Sequence, residues 1–263
     1  MMPFERLRAI ARHGADDRTL VAEAADCLAE FDDDPAGLVV ACRRLLHHHA
    51  ACGPLWWLCA RVITAPDPAE GAREAERLIE SDRTGRRLSA LLPFPHDEPI
   101  AVVGWPEVVS EAVAERTDLD LLAVRTRHGS AIRQARQFRD DRAVRVVDET
   151  DAMALGPSHL LIEVHAASPA EALVPAGVTD LLWSLPDAKL WLIAGVGRVL
   201  PGRLFDVLRR QVEIGNAEVG GDPAAEVIEV SRAERIAGPA GLDPPERMAQ
   251  RVDCPVAPEL LRL

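Results

Sequence analysis

Pro99-Ile100-Ala101-Val102-Val103-Gly104 is an almost unbroken apolar run that stops at a glycine. The same form recurs at residues 121–124, 144–147, 160–164 and 190–193, with a further run at 227–230. A strand that is apolar at successive positions must be covered on both faces, which is the condition of a parallel sheet held between helices. The segments between these runs carry helical spacing, at 107–115, 131–138, around 179–185 and at 203–212. Strand, helix and strand in alternation, joined by right-handed crossovers, predict an α/β, Rossmann-like doubly wound and mostly parallel sheet.

Upstream of this pattern the texture is helical throughout. Leu20, Val21, Ala24, Cys27 and Leu28 make one apolar face, and Leu38, Val39, Cys42, Leu45 and Leu46 make a second that ends near Gly53. Pro54 restarts the chain in a helical first turn, where its missing N–H costs nothing. Leu55, Leu58, Cys59 and Val62 form the next face, and Asp67-Pro68 predicts a longer helix reaching about Leu92. The expected organisation is therefore an N-terminal helical unit over residues 1–95, followed by the α/β domain over 96–263. The last stretch is punctuated by Gly238-Pro239, Asp243-Pro244-Pro245 and Pro255 and reads as a tail wrapping over the sheet.

Composition narrows the chemistry. A net charge of −12 over 263 residues, with no basic block, argues against nucleic acid as a direct partner. Lys189 is the only lysine, which leaves neither a Schiff-base nor a P-loop lysine with the right neighbours. Five cysteines without a C-x-x-C pair encode no disulfide framework or zinc ribbon. No apolar run approaches the roughly 18–20 residues of a spanning helix, and the first residues lack a signal-peptide pattern, so the expected setting is the cytoplasm with no membrane contact. No cofactor is predicted: Gly195-Val196-Gly197 lacks the third glycine and the acidic residue of a dinucleotide fingerprint.

Ligands of such sheets bind beyond the carboxyl ends of the strands, so the residues that follow each run are the candidates. Gly104 opens the first turn, although Pro106 and Glu107 replace an N–H and add negative charge where an anion would sit. Arg125 and Arg127, with the Ser130 hydroxyl and the helix expected after it, form the best anion-binding set for a small phosphorylated ligand; the alternative is that the two arginines pair with Asp148 or Glu149. Asp148, Glu163 and His165, with Asp151, supply a general acid and base if they converge, whereas Asp148 and Asp151 otherwise cap the next helix. His48 and Cys52 have a metal-chelating spacing but make only two ligands, so no metal site is predicted. Trp56-Trp57 reads as interface or interdomain packing.

In order and local wording these segments resemble the family of translation initiation factor 2B regulatory (α-type) subunits and the methylthioribose-1-phosphate and ribose-1,5-bisphosphate isomerases. The resemblance covers about residues 40–263. It is carried by Gly53-Pro54-Leu55-Trp56-Trp57-Leu58, by Arg125-Thr126-Arg127 with Gln134-Ala135-Arg136, by Asp148 with Met153, by Ile228-Glu229-Val230 with Arg232-Ala233-Glu234, and most specifically by Val252-Asp253-Cys254-Pro255-Val256-Ala257-Pro258-Glu259-Leu260-Leu261. It departs where the isomerases carry chemistry. Gly104-Trp105-Pro106 stands in place of a segment with the catalytic cysteine, and Glu163-Val164-His165 in place of Gly-Ala-Asp. The resemblance thus implies a ligand-binding, regulatory or assembly subunit pairing as a homodimer through its α/β domain. The alternative is an aldose–ketose isomerase of a phosphorylated sugar, with Arg125 and Arg127 on phosphate and Asp148 or His165 moving the proton.

Overall fold

Five helices precede the first strand among the residues that the computed structural model describes, which are 16–31, 33–104, 106–114, 116, 118–126, 144–219 and 224–263. Helix α1, Asp17–Leu28, is capped by Asp16, whose carboxylate accepts from the Thr19 N–H at 2.9 Å. Asp34 caps α2, Pro35–His48, and Asp67 caps α4, Pro68–Glu80, each followed by a proline in the first turn. Between them, α3 runs Gly53–Thr64. The single long helix expected from Asp67-Pro68 to Leu92 is two helices, α4 and α5, the latter Thr84–Leu91. Asp82 is the cause. Its carboxylate accepts from the Thr84 N–H at 2.8 Å and the Thr84 hydroxyl at 2.5 Å, giving the backbone an alternative to the helix ladder.

The α/β part follows in chain order as β1 (Pro99–Val103), α6 (Glu107–Ala114), β2 (Asp120–Arg125), β3 (Val144–Asp148), α7 (Glu149–Leu155), β4 (His159–Glu163), β5 (Ala166–Ala167) and β6 (Glu171–Pro175). It continues with α8 (Val178–Ser184), β7 (Lys189–Ile193), α9 (Gly202–Val219), β8 (Ala225–Glu229), β9 (Arg235–Gly238) and β10 (Gly241–Asp243). The main sheet has seven strands in the order β10-β9-β7-β4-β1-β2-β3, parallel except for the last hairpin partner β10. The mostly parallel α/β architecture is thus as the apolar runs predict. The helix expected at 131–138 lies outside the described residues.

Two expectations change. The run at 227–230 forms β8 but leaves the parallel sheet, joining β5 and β6 in a separate antiparallel sheet ordered β5-β6-β8. Residues 235–243 are not part of the tail: β9 and β10 extend the main sheet past β7, and only the segment beyond them proceeds as 3-10 turns, Pro245–Arg251 and Pro258–Arg262.

The helical segment has no core of its own. One buried cluster joins the inner faces of α1–α4 to Leu204, Phe205 and Leu208 of α9, Leu173 of β6, and Cys254, Ala257 and Leu260 of the tail. Trp56 and Trp57 are both fully buried in it. Two further clusters fill the two faces of the main sheet. No helix of the described residues is long and apolar enough to cross a membrane.

Candidate functional site at the carboxyl ends of the strands

The central strands β1, β4 and β7 end side by side, and a buried ion-pair relay occupies the space above them. Glu163, the last residue of β4, is 6% exposed. One of its oxygens accepts from the Val108 N–H at 2.8 Å and the Val109 N–H at 3.3 Å, so it caps α6 from a neighbouring strand. The other meets the Arg198 guanidinium at 2.7 Å. Arg198, also buried, follows β7 and further donates to the Val164 carbonyl at 2.8 Å and to Asp17 at 3.0 Å. Asp17 belongs to the first turn of α1. One residue on, Arg18 reaches Glu107 of α6 at 3.1 Å. The first turn of α1 is thereby clasped to the strand ends by two ion pairs of opposite sense.

A third contact comes from the break between α4 and α5. Asp82 accepts from the Val196 N–H at 2.9 Å, and a Cβ on Gly195 would lie 2.7 Å from that carboxylate, so glycine is the residue that admits this approach. The open volume left between Asp17, Arg18, Asp82, Glu107 and Arg198 is about 30 Å³, the room of roughly one water molecule. Among the described residues, the space above β1, β4 and β7 thus holds its charge in fixed pairs around a gap of that size.

The electrostatics fit that reading. Burial pushes the Glu163 carboxyl up, while Arg198 and the two α6 N–H groups pull against it. Burial works against the Arg198 charge as well, yet Glu163 and Asp17 outweigh it and hold the guanidinium above its ordinary value. His165 is pushed down by burial, with Asp17 acting in the opposite sense.

A lowered histidine makes the folded state bind fewer protons than the unfolded chain once the pH nears the ordinary histidine value of 6.5. The stability His165 contributes is complete above that value and is lost as pH falls toward its folded pKa. The expected result is that thermal midpoints of the protein and of His165→Asn converge on acidification from pH 8 to pH 5. His159, also lowered by burial, starts β4 at the opposite end of the sheet, so it acts equally in both proteins and cancels in the difference. Parallel midpoint curves would overturn the assignment.

The candidates named from sequence are placed as follows. Glu163 and His165 are two residues apart at the end of β4 but serve different surroundings: Glu163 engages Arg198 and α6, while the His165 ring lines the cavity that holds His48 and Cys52. Asp148 does not join them: it ends β3, with β2 and β1 in between, roughly 14 Å away at the ordinary strand spacing. There it is exposed and caps α7 by accepting from the Asp151 N–H at 2.9 Å. Arg125 is exposed at the end of β2, in register with Asp148. Gly104 adopts φ +66° and turns the chain between β1 and α6. Arg127 and Ser130 lie outside the described residues. His47 and His48 with Cys52 line a separate cavity of about 560 Å³ on the other side of Asp17. No group of three metal-ligating side chains occurs among the described residues.

Sequence reasoning misses Arg198, Asp17 and Asp82. The arginine is legible only as part of the Gly195-Val196-Gly197-Arg198 turn, and Asp17 only as a helix-start residue. Neither carries a local signal for a contact formed across more than a hundred residues of chain.

No family model matches the sequence, and no curated protein matches it. Solved structures do match. The translation initiation factor eIF-2B of Pyrococcus horikoshii OT3 superposes with a TM-score of 0.70 at 12% identity, covering 93% of this chain and 98% of that one. The tetrameric eIF2B-beta2-delta2 complex of C. thermophilum gives 0.70 at 11% identity, over 94% and 92%. The 5-methylthioribose 1-phosphate isomerase of P. horikoshii OT3 gives 0.60 at 15% identity, over 95% and 86%. At these identities the likeness is one of fold, and the fold is the one the sequence resemblance implies.

Proposed function

We propose that this chain, built on the fold of eIF2B subunits and methylthioribose-1-phosphate isomerase, is a non-catalytic subunit that works by associating with other protein chains. The observation that carries this reading is the Glu163–Arg198–Asp17 relay. Both oxygens of Glu163, the one buried carboxylate at the strand ends among the described residues, are engaged, and the adjoining space holds about 30 Å³. A sugar-phosphate isomerase needs a free acid–base group and a cation for the phosphate facing one substrate-sized cavity; the His165 ring does line the cavity of about 560 Å³, but among the described residues no arginine or lysine lines it with His165. Incubation of the pure protein with 5-methylthioribose 1-phosphate and with ribose 1,5-bisphosphate is expected to leave both unconverted over hours. Formation of either ketose would overturn the reading.

The supporting surface is on the α/β part. Trp183 of α8 is 77% exposed, and Met153 of the adjoining α7 is 52% exposed. An indole that far out in water on a helix whose other face is buried is the type of anchor that dominates interfaces. We assign this face to a homodimer contact, with the five buried, unbridged cysteines in keeping with a cytoplasmic setting. Light scattering is expected to give a dimer for the unmodified protein and a monomer for Trp183→Glu with an unchanged thermal midpoint. A monomer in both, or a dimer in both, counts against this face.

A further inference from the structure

The amino end of the main sheet carries a cluster of polar and aromatic groups that the strand-end relay does not touch. It is built on the connection of residues 92–98, which leads from α5 into β1. Glu98 closes that connection, and its carboxylate accepts from the hydroxyl of Ser158, the residue before β4. His159, the first residue of β4, places Nδ1 2.9 Å from the same hydroxyl oxygen and 3.3 Å from Glu98 Oε1. Phe94 of the connection covers the His159 ring, with 4.3 Å between ring centres, and Trp191 of β7 stands edge-on to it at 5.9 Å. Only 13% of the His159 side chain is exposed.

Proton positions follow from what each group can donate. A carboxylate only accepts, so the Ser158 proton goes to Glu98, and His159 supplies the proton between Nδ1 and the serine oxygen. The neutral ring thus carries its proton on Nδ1, and a second proton adds at Nε2. Glu98 Oε2 is buried without a hydrogen-bond partner among the described residues, so the carboxylate is held through its other oxygen. The charged groups around the ring are Glu98 on the connection, Glu234 before β9 and Lys189 on β7, whose Nζ lies 3.5 Å from Glu234. On β1 the residue in register with His159 is the uncharged Ile100. Burial is the largest influence and holds the ring below the ordinary histidine value; Lys189 acts in the same sense, and Glu98 and Glu234 oppose it.

The rest of the connection is held separately. Arg116 donates to the Leu92 and Phe94 carbonyls at 2.8 and 2.9 Å and pairs with Asp118, and the Asp97 N–H donates to the Asp118 carbonyl at 2.9 Å. His96, the other histidine of the connection, is exposed and lies near Asp118.

We propose that Phe94, Glu98, Ser158 and His159 form an acid-sensitive latch: at neutral pH the uncharged ring is closed under Phe94, and acidification favours a state in which residues 92–98 lift from the start of β4. A ring closed under Phe94 binds a proton less readily than a ring open to water. Closure is therefore fully supported above pH 6.5 and weakens as pH falls toward the closed-state value, by at most about tenfold per pH unit. Lifting uncovers Phe94 and Trp191, which belong to the apolar cluster on that face of the sheet. The latch sits at the opposite end of the strands from the relay, so it stands whether or not the chain is catalytic.

The test is hydrogen exchange on the full-length protein, read at the Asp97 amide at pH 8 and at pH 5.5 and corrected for the intrinsic rate. Protection of that amide is expected to fall by about threefold to tenfold on acidification. His159→Asn keeps a hydrogen-bonding side chain that does not titrate and is expected to remove the fall, whereas His96→Asn is expected to keep it. Phe94→Leu leaves His159 in place under a smaller cover. It is expected to raise the titration midpoint of the ring toward 6.5, read from its C–H resonances, and to shrink the fall. A flat profile in the parent, an undiminished fall in His159→Asn, or a flat profile in His96→Asn overturns the proposal. If His159→Asn fails to fold, an unmoved His159 midpoint in Phe94→Leu overturns it instead. Turnover of a sugar phosphate in the same preparation would bear on the strand ends alone.

Discussion

Arg198→Ala is expected to lower the thermal unfolding midpoint by about 6–20 °C. The residue is buried and bridges Glu163, Asp17 and the Val164 carbonyl, so its removal leaves a buried carboxylate whose remaining support is two helix N–H groups. Breaking a buried ion pair from one side costs about 3–5 kcal/mol, because the surviving charge is stranded, and in a chain of this size each kcal/mol moves the midpoint by roughly 2–4 °C. The control is Arg198→Met combined with Glu163→Gln. The amide oxygen that Glu163→Gln introduces can still accept from α6, and no unpaired charge remains on β4, so the double variant is expected to recover a substantial part of the loss. Scanning calorimetry on the three proteins decides it. A single variant as stable as the parent, or a double variant worse than the single, would show that the relay is not what holds α1 and α6 to the strand ends.

Trp57→Ala is expected to cost about 3–5 kcal/mol, the usual loss when a fully buried indole is truncated. Three contacts go with it. The indole N–H donates to Asp253 of the tail at 3.2 Å, the Arg61 guanidinium lies 4.9 Å from the ring centre, and the turn at Gly197, φ +77°, passes so close that a Cβ there would sit 3.3 Å from the ring. Asp253 is already pushed up by burial and is held back by Arg61 and Trp57, so losing the donor leaves it less well matched. Trp57→Phe narrows the comparison, since it keeps an aromatic ring in the core while removing the N–H and part of the ring volume. It is expected to lose about 1–2 kcal/mol in urea unfolding. Equal losses for the two variants would place the effect in the hydrogen bond rather than in the packing.

What can be read without coordinates follows from range. The strands β1, β2, β4 and β7 are legible because each holds a run of at least three adjacent apolar residues, and β3 because Val144, Val146 and Val147 bracket a single Arg145. The helix start at Asp67-Pro68 is legible for the same reason. Glu171–Pro175 escapes notice because it is short, begins with an acid and ends in proline. β8 is legible as a strand, but nothing in its own residues says that its partner is β6 rather than β9. At the site, the caps on α7 and the carboxylate of Glu163 are visible as residue types. Their roles are not, because the relay is assembled from α1, β4 and the turn after β7, and a side chain's partner at that distance leaves no local trace. Asp82 is the intermediate case: its Ser81-Asp82 setting offers a break, and the helical spacing on either side conceals it.

The single buried cluster shared by α1–α4, α9 and the tail also sets an order for the growing polypeptide. The first four helices emerge from the ribosome early, yet the surfaces they need, Leu204, Phe205 and Leu208, then Cys254, Ala257 and Leu260, are translated only near the end. Until then their apolar faces have nothing to close on, and the nascent chain has to be kept from clumping by other means. A chain halted before the tail is therefore expected to be protease-sensitive at its amino end rather than at the cut.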